Sequence, residues 1–264
     1  MMNFSATALC GVTLLDAQLG EHRFDKHVHD TYAFGVTLQG VQTFNCRGTR
    51  YANPPGSLIA FNPDECHDGE PGSPEGFSYR IIYVEPQALQ SLTRHHELPH
   101  FRTASLNDAT LSGQLIQAIR ATQPQETLRS EALLEKFLLC VTRHHGRTRV
   151  SDDSPTCDLR ARRMRDYLRA RVCEDVSTAE LASIAEVSRV HANRLFNQAY
   201  GISPHAYLNA LRVMRTKQLI CSGASLADAA VASGFADQAH MSRRFLAAVG
   251  VSPHRYRKSI TLPN

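Results

Sequence analysis

Up to about Pro86 the apolar residues of the chain come in short runs that alternate with polar positions and stop at clusters of turn-forming residues. This period of two predicts strands over Val12–Leu19, Tyr32–Leu38, Val41–Cys46, Ser57–Asn62 and Phe77–Val84. The breaks fall at Gly20, Gly40, Gly48, Asn53-Pro54-Pro55-Gly56 and Pro71-Gly72-Ser73-Pro74, a spacing that suits a β-sandwich or barrel. Met1–Leu15 is mildly apolar, and Ala8-Leu9-Cys10 is similar to a lipoprotein cleavage site. No basic residues precede it and the run is short, so it reads as a first strand.

Beyond Pro86 the period lengthens to that of a helix. Gln87–Thr93 is short. Asp108–Thr122 carries Leu111, Leu115, Ala118 and Ile119 on one stripe, with Asn107 or Asp108 as cap, and Leu128–His144 has a broad apolar face of Leu133, Leu134, Phe137, Leu138, Cys140 and Val141. Arg147–Cys157 is polar and aperiodic and reads as a linker, dividing the chain into 1–146, 147–157 and 158–264. Asp158–Val172 turns Met164, Tyr167, Leu168 and Val172 inward and Arg160, Arg162, Arg163, Arg165 and Arg169 outward. Ser177-Thr178-Ala179-Glu180 is a capping box. Ser203-Pro204 opens a helix that runs to about Cys221, and Ser225-Leu226-Ala227-Asp228 caps the next.

This C-terminal part repeats itself. A shift of 49 residues superposes His191 on His240, Arg194 on Arg243, Phe196 on Phe245, Ala199 on Ala248, Gly201 on Gly250, Ser203-Pro204-His205 on Ser252-Pro253-His254, and Tyr207 on Tyr256. Upstream the match continues after a one-residue slip, Leu181-Ala182 against Ala229-Ala230 and Val187 against Phe235. Each copy reads as a capped helix, from Ser188 or Asp237, with a core stripe of Ala192, Phe196 and Ala199 or of Met241, Phe245 and Ala248. The opposite faces expose hydrogen-bonding groups: Arg189, Val190, Asn193, Arg194 and Asn197 in the first copy, and Gln238, Ala239, Ser242 and Arg243 in the second. An exposed Arg at the same place in two tandem units points to major-groove reading, because Arg can donate twice to guanine. His191 and His240 are open between packing and phosphate contact.

Residues 158–258 resemble the DNA-binding domain of the AraC/XylS family of bacterial transcription regulators. The match rests on Leu181-Ala182, Ser188, Arg194, Phe196 and Gly201-Ile202-Ser203-Pro204, then on Ala229-Ala230, Gly234-Phe235, Asp237-Gln238, Arg243, Phe245, Gly250-Val251-Ser252-Pro253 and Tyr256-Arg257. The resemblance implies two recognition helices in successive major grooves of double-stranded promoter DNA. The overall class is then α+β: a cupin-like β-barrel with flanking helices, followed by an all-α domain of two helix-turn-helix units joined by a long helix.

In the N-terminal part, His27-Val28-His29, Gly40, Pro55-Gly56-Ser57 and Asn62-Pro63-Asp64-Glu65-Cys66-His67 resemble the two short motifs of the cupin barrel, the usual effector-binding domain of AraC-family proteins. Metal-binding cupins place a Glu after the paired histidines. Here Tyr32-Ala33-Phe34 stand at that distance, so no metal or other cofactor is expected, and His27, His29 and His67 are the candidate ligands if one binds. The effector-binding residues expected in the barrel are His27, His29, Phe34, Phe61, His67, Tyr79 and Arg80, although strand parity alone does not say which face inward.

Composition locates the charge. Residues 1–150 carry 13 Lys and Arg against 15 Asp and Glu, a net −2, while residues 151–264 carry 16 against 10, a net +6. The seven cysteines are scattered without a Cys-x-x-Cys pair, which suits a reducing cytoplasm. No apolar run approaches the roughly 18 residues of a membrane span. The sequence therefore reads as a cytoplasmic, effector-controlled transcription regulator, a homodimer through Leu128–His144, with RNA polymerase as a further candidate partner and no membrane association. Two other readings remain: a metal-dependent cupin enzyme carrying a passive repeat, and a dimerisation domain that senses nothing.

Overall fold

The computed structural model describes residues 4–9, 12–93, 97–121, 127–148 and 159–259. The N-terminal half contains β1 (Phe4–Leu9), β2 (Val12–Leu19), β3 (Phe24–His27), β4 (Tyr32–Gly40), β5 (Gln42–Cys46), β6 (Thr49–Asn53), β7 (Leu58–Phe61), β8 (His67–Pro71) and β9 (Phe77–Val84). It continues with α1 (Pro86–Thr93), β10 (Pro99–Phe101), β11 (Ser105–Leu106), α2 (Ala109–Arg120), α3 (Thr127–His145) and β12 (Gly146–Thr148). All strand pairings are antiparallel. A six-stranded sheet runs β1-β2-β9-β4-β7-β11, a four-stranded sheet runs β3-β8-β5-β6, and β10 pairs with β12.

Side-chain alternation gives the larger sheet two faces with different partners. One face sends Leu15, Ala17, Ala33, Ile59, Phe61, Phe77, Tyr79 and Ile81 towards Phe44 and Cys46 of the smaller sheet. The other sends Leu14, Tyr32, Phe34, Val36, Leu58, Ala60, Ile82 and Val84 against Leu111, Leu115, Phe137, Leu138 and Val141 of α2 and α3. Phe34 therefore lies outside the barrel interior, contrary to the sequence expectation. It is fully buried, with Phe101 and Phe137 edge-on to it at centroid distances of 5.2 and 5.7 Å. Arg80 is displaced by the same parity, since its neighbours Tyr79 and Ile81 take the inner face; its Nε pairs with Asp16 across the β2–β9 ladder at 2.8 Å. The strand β12 includes Arg147 and Thr148, so pairing with β10 takes up the first two residues of the expected linker; the remainder, 149–157, lies outside the described residues.

Among the described residues the regular structure of the C-terminal half is helical: α4 (Leu159–Ala170), α5 (Thr178–Ile184), α6 (Arg189–Tyr200), α7 (Pro204–Cys221), α8 (Leu226–Ala232), α9 (Gln238–Val249) and α10 (Pro253–Ser259). Its boundaries follow local chemistry. Ser177 and Glu180 close a reciprocal capping box on α5, and the side chains of Ser188, Ser203, Ser225 and Asp237 each accept from a backbone N–H in the first turn of their helices. At the other end, α6 and α9 stop at Gly201 and Gly250, whose φ of 70° and 80° is the left-handed turn that favours glycine. Each helix-turn-helix then closes its own core, around Met164, Leu181, Phe196 and Tyr207 in the first unit and around Ala230, Phe235, Met241, Phe245 and Tyr256 in the second. Helix α7 contributes to both cores.

Candidate functional site: two recognition helices and the cavity behind them

Helices α6 and α9 turn their apolar stripes inward, which forces the opposite faces into solvent. Arg189, Val190, Asn193, Arg194 and Asn197 are all exposed, as are Gln238, Ala239 and Arg243; Ser242 is half-buried. Val190 is 70% exposed, an unusual state for a valine and one that leaves its methyl groups free for an apolar contact such as a thymine methyl. The repeated histidines differ: His191 is exposed, whereas His240 is half-buried with its ring edge-on to Phe235 at 5.4 Å. Helix α7, at 18 residues, spans roughly 27 Å between the two units.

On the side of the C-terminal half packed against the barrel, both units meet the N-terminal half. The first is held by a small polar network in which Asp64 Oδ1 accepts from Tyr207 Oη at 2.8 Å and from Arg169, and Arg169 Nε donates to Tyr207 Oη at 3.1 Å. The Cys66 thiol points at the carbonyl of Gly201 at 3.7 Å, and Val28 joins the first unit's core. The second unit is met at Gly250, where a Cβ would come within 3.0 Å of Phe24 and 3.3 Å of His22. The turn that ends each recognition helix thus abuts the barrel. Arg169, expected to point outward from α4 to solvent or a DNA phosphate, is committed to this network.

Between the halves lies a cavity of about 60 Å³. Its barrel walls include His27, His29, Phe61, His67, Tyr79 and Tyr83, and its far walls Val213, Met214, Lys217 and Ala248. Strand pairing places His27, at the end of β3, opposite His67, at the start of β8. His29 completes the cluster, with ring centroids 4.9 Å from His27 and 5.1 Å from His67, and Phe61 stacks on His67 at 3.8 Å. Loss of hydration on burial is the main cause that lowers all three histidine pKa values, so the rings are neutral near pH 7. Lys217 stands over the Tyr83 ring, Nζ to centroid 4.7 Å, and burial lowers its pKa too, with Asp30 and Cys221 opposing.

Of the expected effector residues, the cavity brings together His27, His29, Phe61, His67 and Tyr79, and leaves out Phe34 and Arg80. Sequence reasoning missed Tyr83, Met214 and Lys217. A signal for Lys217 was present: it interrupts the apolar stripe of Ala210, Val213 and Ile220 on α7, where a cation needs a reason to be.

Comparison with known proteins finds a family match in each half of the chain. Residues 9–138 match the AraC-like ligand binding domain and residues 181–259 match a helix-turn-helix domain. An uncharacterised HTH-type transcriptional regulator of Bacillus subtilis, YbfI, is 29% identical over 82% of this chain and 81% of its own length. The transcriptional activator RhaS of an Enterobacter strain is 24% identical over 84% of each. The crystal structure of an apo ToxT variant from Vibrio cholerae shares the fold, with a TM-score of 0.62 at 16% identity over 99% of this chain and 97% of that one. ToxT has also been solved with an unsaturated fatty acid bound and with a naphthalenyl butenoic acid. With a ligand-binding domain matched in the first half, a helix-turn-helix domain in the second, and relatives that align across both, the chain is an AraC-family transcription regulator that binds DNA through its C-terminal half.

Proposed function

We propose that the cavity behind the recognition helices is the effector site and that its ligand is a small, largely apolar carboxylate. The observation that carries this is Lys217: a cation supplied by the DNA-binding half stands in a cavity otherwise walled mainly by aromatic and aliphatic groups of the barrel. An anion there gains a buried charge partner, and its apolar body gains Phe61, Tyr79 and Tyr83. The acids bound to ToxT support the same chemistry by analogy of fold.

At about 60 Å³ the cavity is smaller than the several hundred Å³ that organic ligands commonly fill, so an effector of that size enters only if the halves move apart. The effector then prefers the opened arrangement, and that differential affinity drives the switch. Arg194 and Arg243 read guanine, with the neighbouring exposed residues of α6 and α9 supplying further base and phosphate contacts. The protein acts in the cytoplasm as a regulator rather than as an enzyme, on promoter DNA and alongside RNA polymerase, as a homodimer through α3.

The test is binding of the full chain to its own upstream DNA against scrambled competitor, over a salt series, with and without a panel of carboxylates and their uncharged amides. Specific binding that acids alter and amides do not supports the proposal. Equal effects of acid and amide, or no effect of either, overturn the assignment of Lys217.

A further inference from the structure

The three histidines in the cavity are held as a metal-binding set is held. A backbone carbonyl can only accept, so the contacts of His27 Nδ1 with the Asp25 carbonyl at 2.7 Å and of His67 Nδ1 with the Glu65 carbonyl at 2.8 Å fix the proton on Nδ1 in both rings. Nε2 is left in each as the nitrogen with a free lone pair. Donation of the second ring nitrogen to a carbonyl is what sets tautomer and orientation in metal-ligating histidines. One ring nitrogen from each of His27, His29 and His67 lies within 4.8 Å of the other two. The rings are also fixed from behind, His67 by Phe61 and His29 by Tyr83 at a centroid distance of 4.9 Å.

We propose that His27, His29 and His67 bind one divalent transition-metal ion of the zinc type at the seam between barrel and connector helix α7, and that its open coordination position receives the effector's carboxylate. Three neutral imidazoles are a sufficient donor set for such an ion and leave a fourth place free. Zinc–nitrogen bonds of about 2.1 Å require the three nitrogens to close to about 3.4 Å, an inward rotation of the rings on the order of 1 Å. The missing carboxylate of the cupin motif matters here. Without it the donor set itself is neutral, so the bound ion's double charge is eased only from outside the ligand shell, by Asp68 at the cavity wall, while Lys217 adds another positive charge close enough to act on both His27 and His29. A carboxylate lying between the ion and Lys217 neutralises both. The ion belongs to the barrel and Lys217 to the DNA-binding half, so the carboxylate touches both walls of the cavity while the effector's apolar body wedges the seam open. This second step rests on the cavity being the effector site; the metal site does not.

The experiment uses the full chain. Metal content after loading with zinc and gel filtration is expected at about one equivalent, and cobalt substitution is expected to give the visible bands of a nitrogen-bound, low-coordinate ion. His29→Gln and His67→Gln, each checked by circular dichroism for retained fold, are expected to weaken zinc binding at least about a hundredfold, beyond the loss typical of second-layer changes. Content well below one equivalent in the wild type, or equal content in folded variants, overturns the metal site and leaves the effector reading to its own test. Oleate is the probe for the second step. Chelator-stripped protein should bind oleate at least tenfold more weakly than zinc-loaded protein. Equal oleate affinity of the stripped and the zinc-loaded protein overturns the bridging role, and loss of oleate binding in Lys217→Met but not on stripping assigns the carboxylate to Lys217 alone.

Discussion

Tyr207, near the start of the connector helix, donates a hydrogen bond of 2.8 Å to Oδ1 of Asp64, in the loop between β7 and β8. Asp64 sits at a φ of 63°, a left-handed conformation that Asp tolerates better than most residues, and from there its carboxylate reaches Tyr207 and Arg169 together. This contact lies at the first helix-turn-helix, while the Phe24–Gly250 contact lies at the second. The barrel therefore grips both reading units, and a ligand that opens the seam changes their freedom to take up successive major grooves. In the proposed mechanism the link from effector to DNA runs through this docking surface.

Asp64→Asn isolates the charge, because Asn keeps the shape and also tolerates the left-handed conformation. Arg169 is 39% exposed, so solvent screens the pair and the expected loss is modest, about 1 kcal/mol of unfolding free energy. Tyr207→Phe should cost a similar amount through the lost hydrogen bond. In urea unfolding of the full chain the double variant is expected to lose less than the sum of the two, with a coupling of at least about 0.5 kcal/mol. Strict additivity would show that the two residues do not act as one network.

Lys217 gives a pH dependence whose sign can be worked out. Burial holds its folded pKa below the unfolded value of about 10.4, so between the two values the unfolded chain binds the proton and the folded chain does not. Stability then rises with pH across that window. The cost of the buried ammonium is fully present below the folded pKa and relieved above it. The titratable groups facing Lys217 are Asp30, Cys221, His27, His29 and Tyr83: Asp30 and Cys221 support the charge, the histidines do not carry one near pH 7, and burial raises the pKa of Tyr83 and keeps its ring neutral. The stability difference between wild type and Lys217→Met should be flat at low pH and move in favour of wild type as pH rises towards 10. A difference independent of pH would place the lysine in solvent.

For the DNA face, Arg194→Ala and Arg243→Ala are each expected to weaken specific binding by about 1 to 3 kcal/mol and to relax preference at a single base pair, one in each major groove. Arg163→Ala, on α4, is the contrast: any loss there should be uniform across sequences and accompanied by a smaller salt slope. Selection of preferred sites from a random DNA pool by each variant distinguishes these outcomes. Unchanged preference in both recognition-helix variants would remove the arginines from base reading.

The sequence made some of this legible and hid the rest for physical reasons. Val12–Leu19 and Phe77–Val84 were readable to the residue because both are long strands with apolar residues on two packed faces. β3, β6 and β8 were not: Phe24–His27 and Thr49–Asn53 are short and polar, and His67–Pro71 contains a Gly and a Pro. The tandem repeat named the recognition helices because the same caps and core positions recur in it. Phe34 and Phe61 could not be told apart from sequence, since both are buried aromatics in strands and only the sheet's two-sided packing sends one to α3 and the other to the cavity. The docking network was hidden because Asp64, Arg169 and Tyr207 are far apart in the chain and belong to different halves.

The proposed dimer is assigned to α3, and the packing of that helix narrows which residues can carry it. Leu134, Phe137, Leu138 and Val141 are consumed by the barrel's own core, which leaves Leu128 and Leu139 as the large apolar residues on the outer face, 81% and 41% exposed. They are 11 positions apart, three turns of helix, and so share one stripe with the exposed Ala132 and Arg143. Two such helices packed antiparallel can bury four leucines, each worth about 1.5 to 3 kcal/mol when fully covered. The expected outcome is that the full chain sediments as a dimer at micromolar concentration and that the double variant Leu128→Glu with Leu139→Glu sediments as a monomer. Both positions face solvent within the protomer, so the variant should keep the wild-type circular dichroism spectrum. It should also bind a single half-site with wild-type affinity while losing preference for paired sites. A variant that remains dimeric would move the interface away from α3.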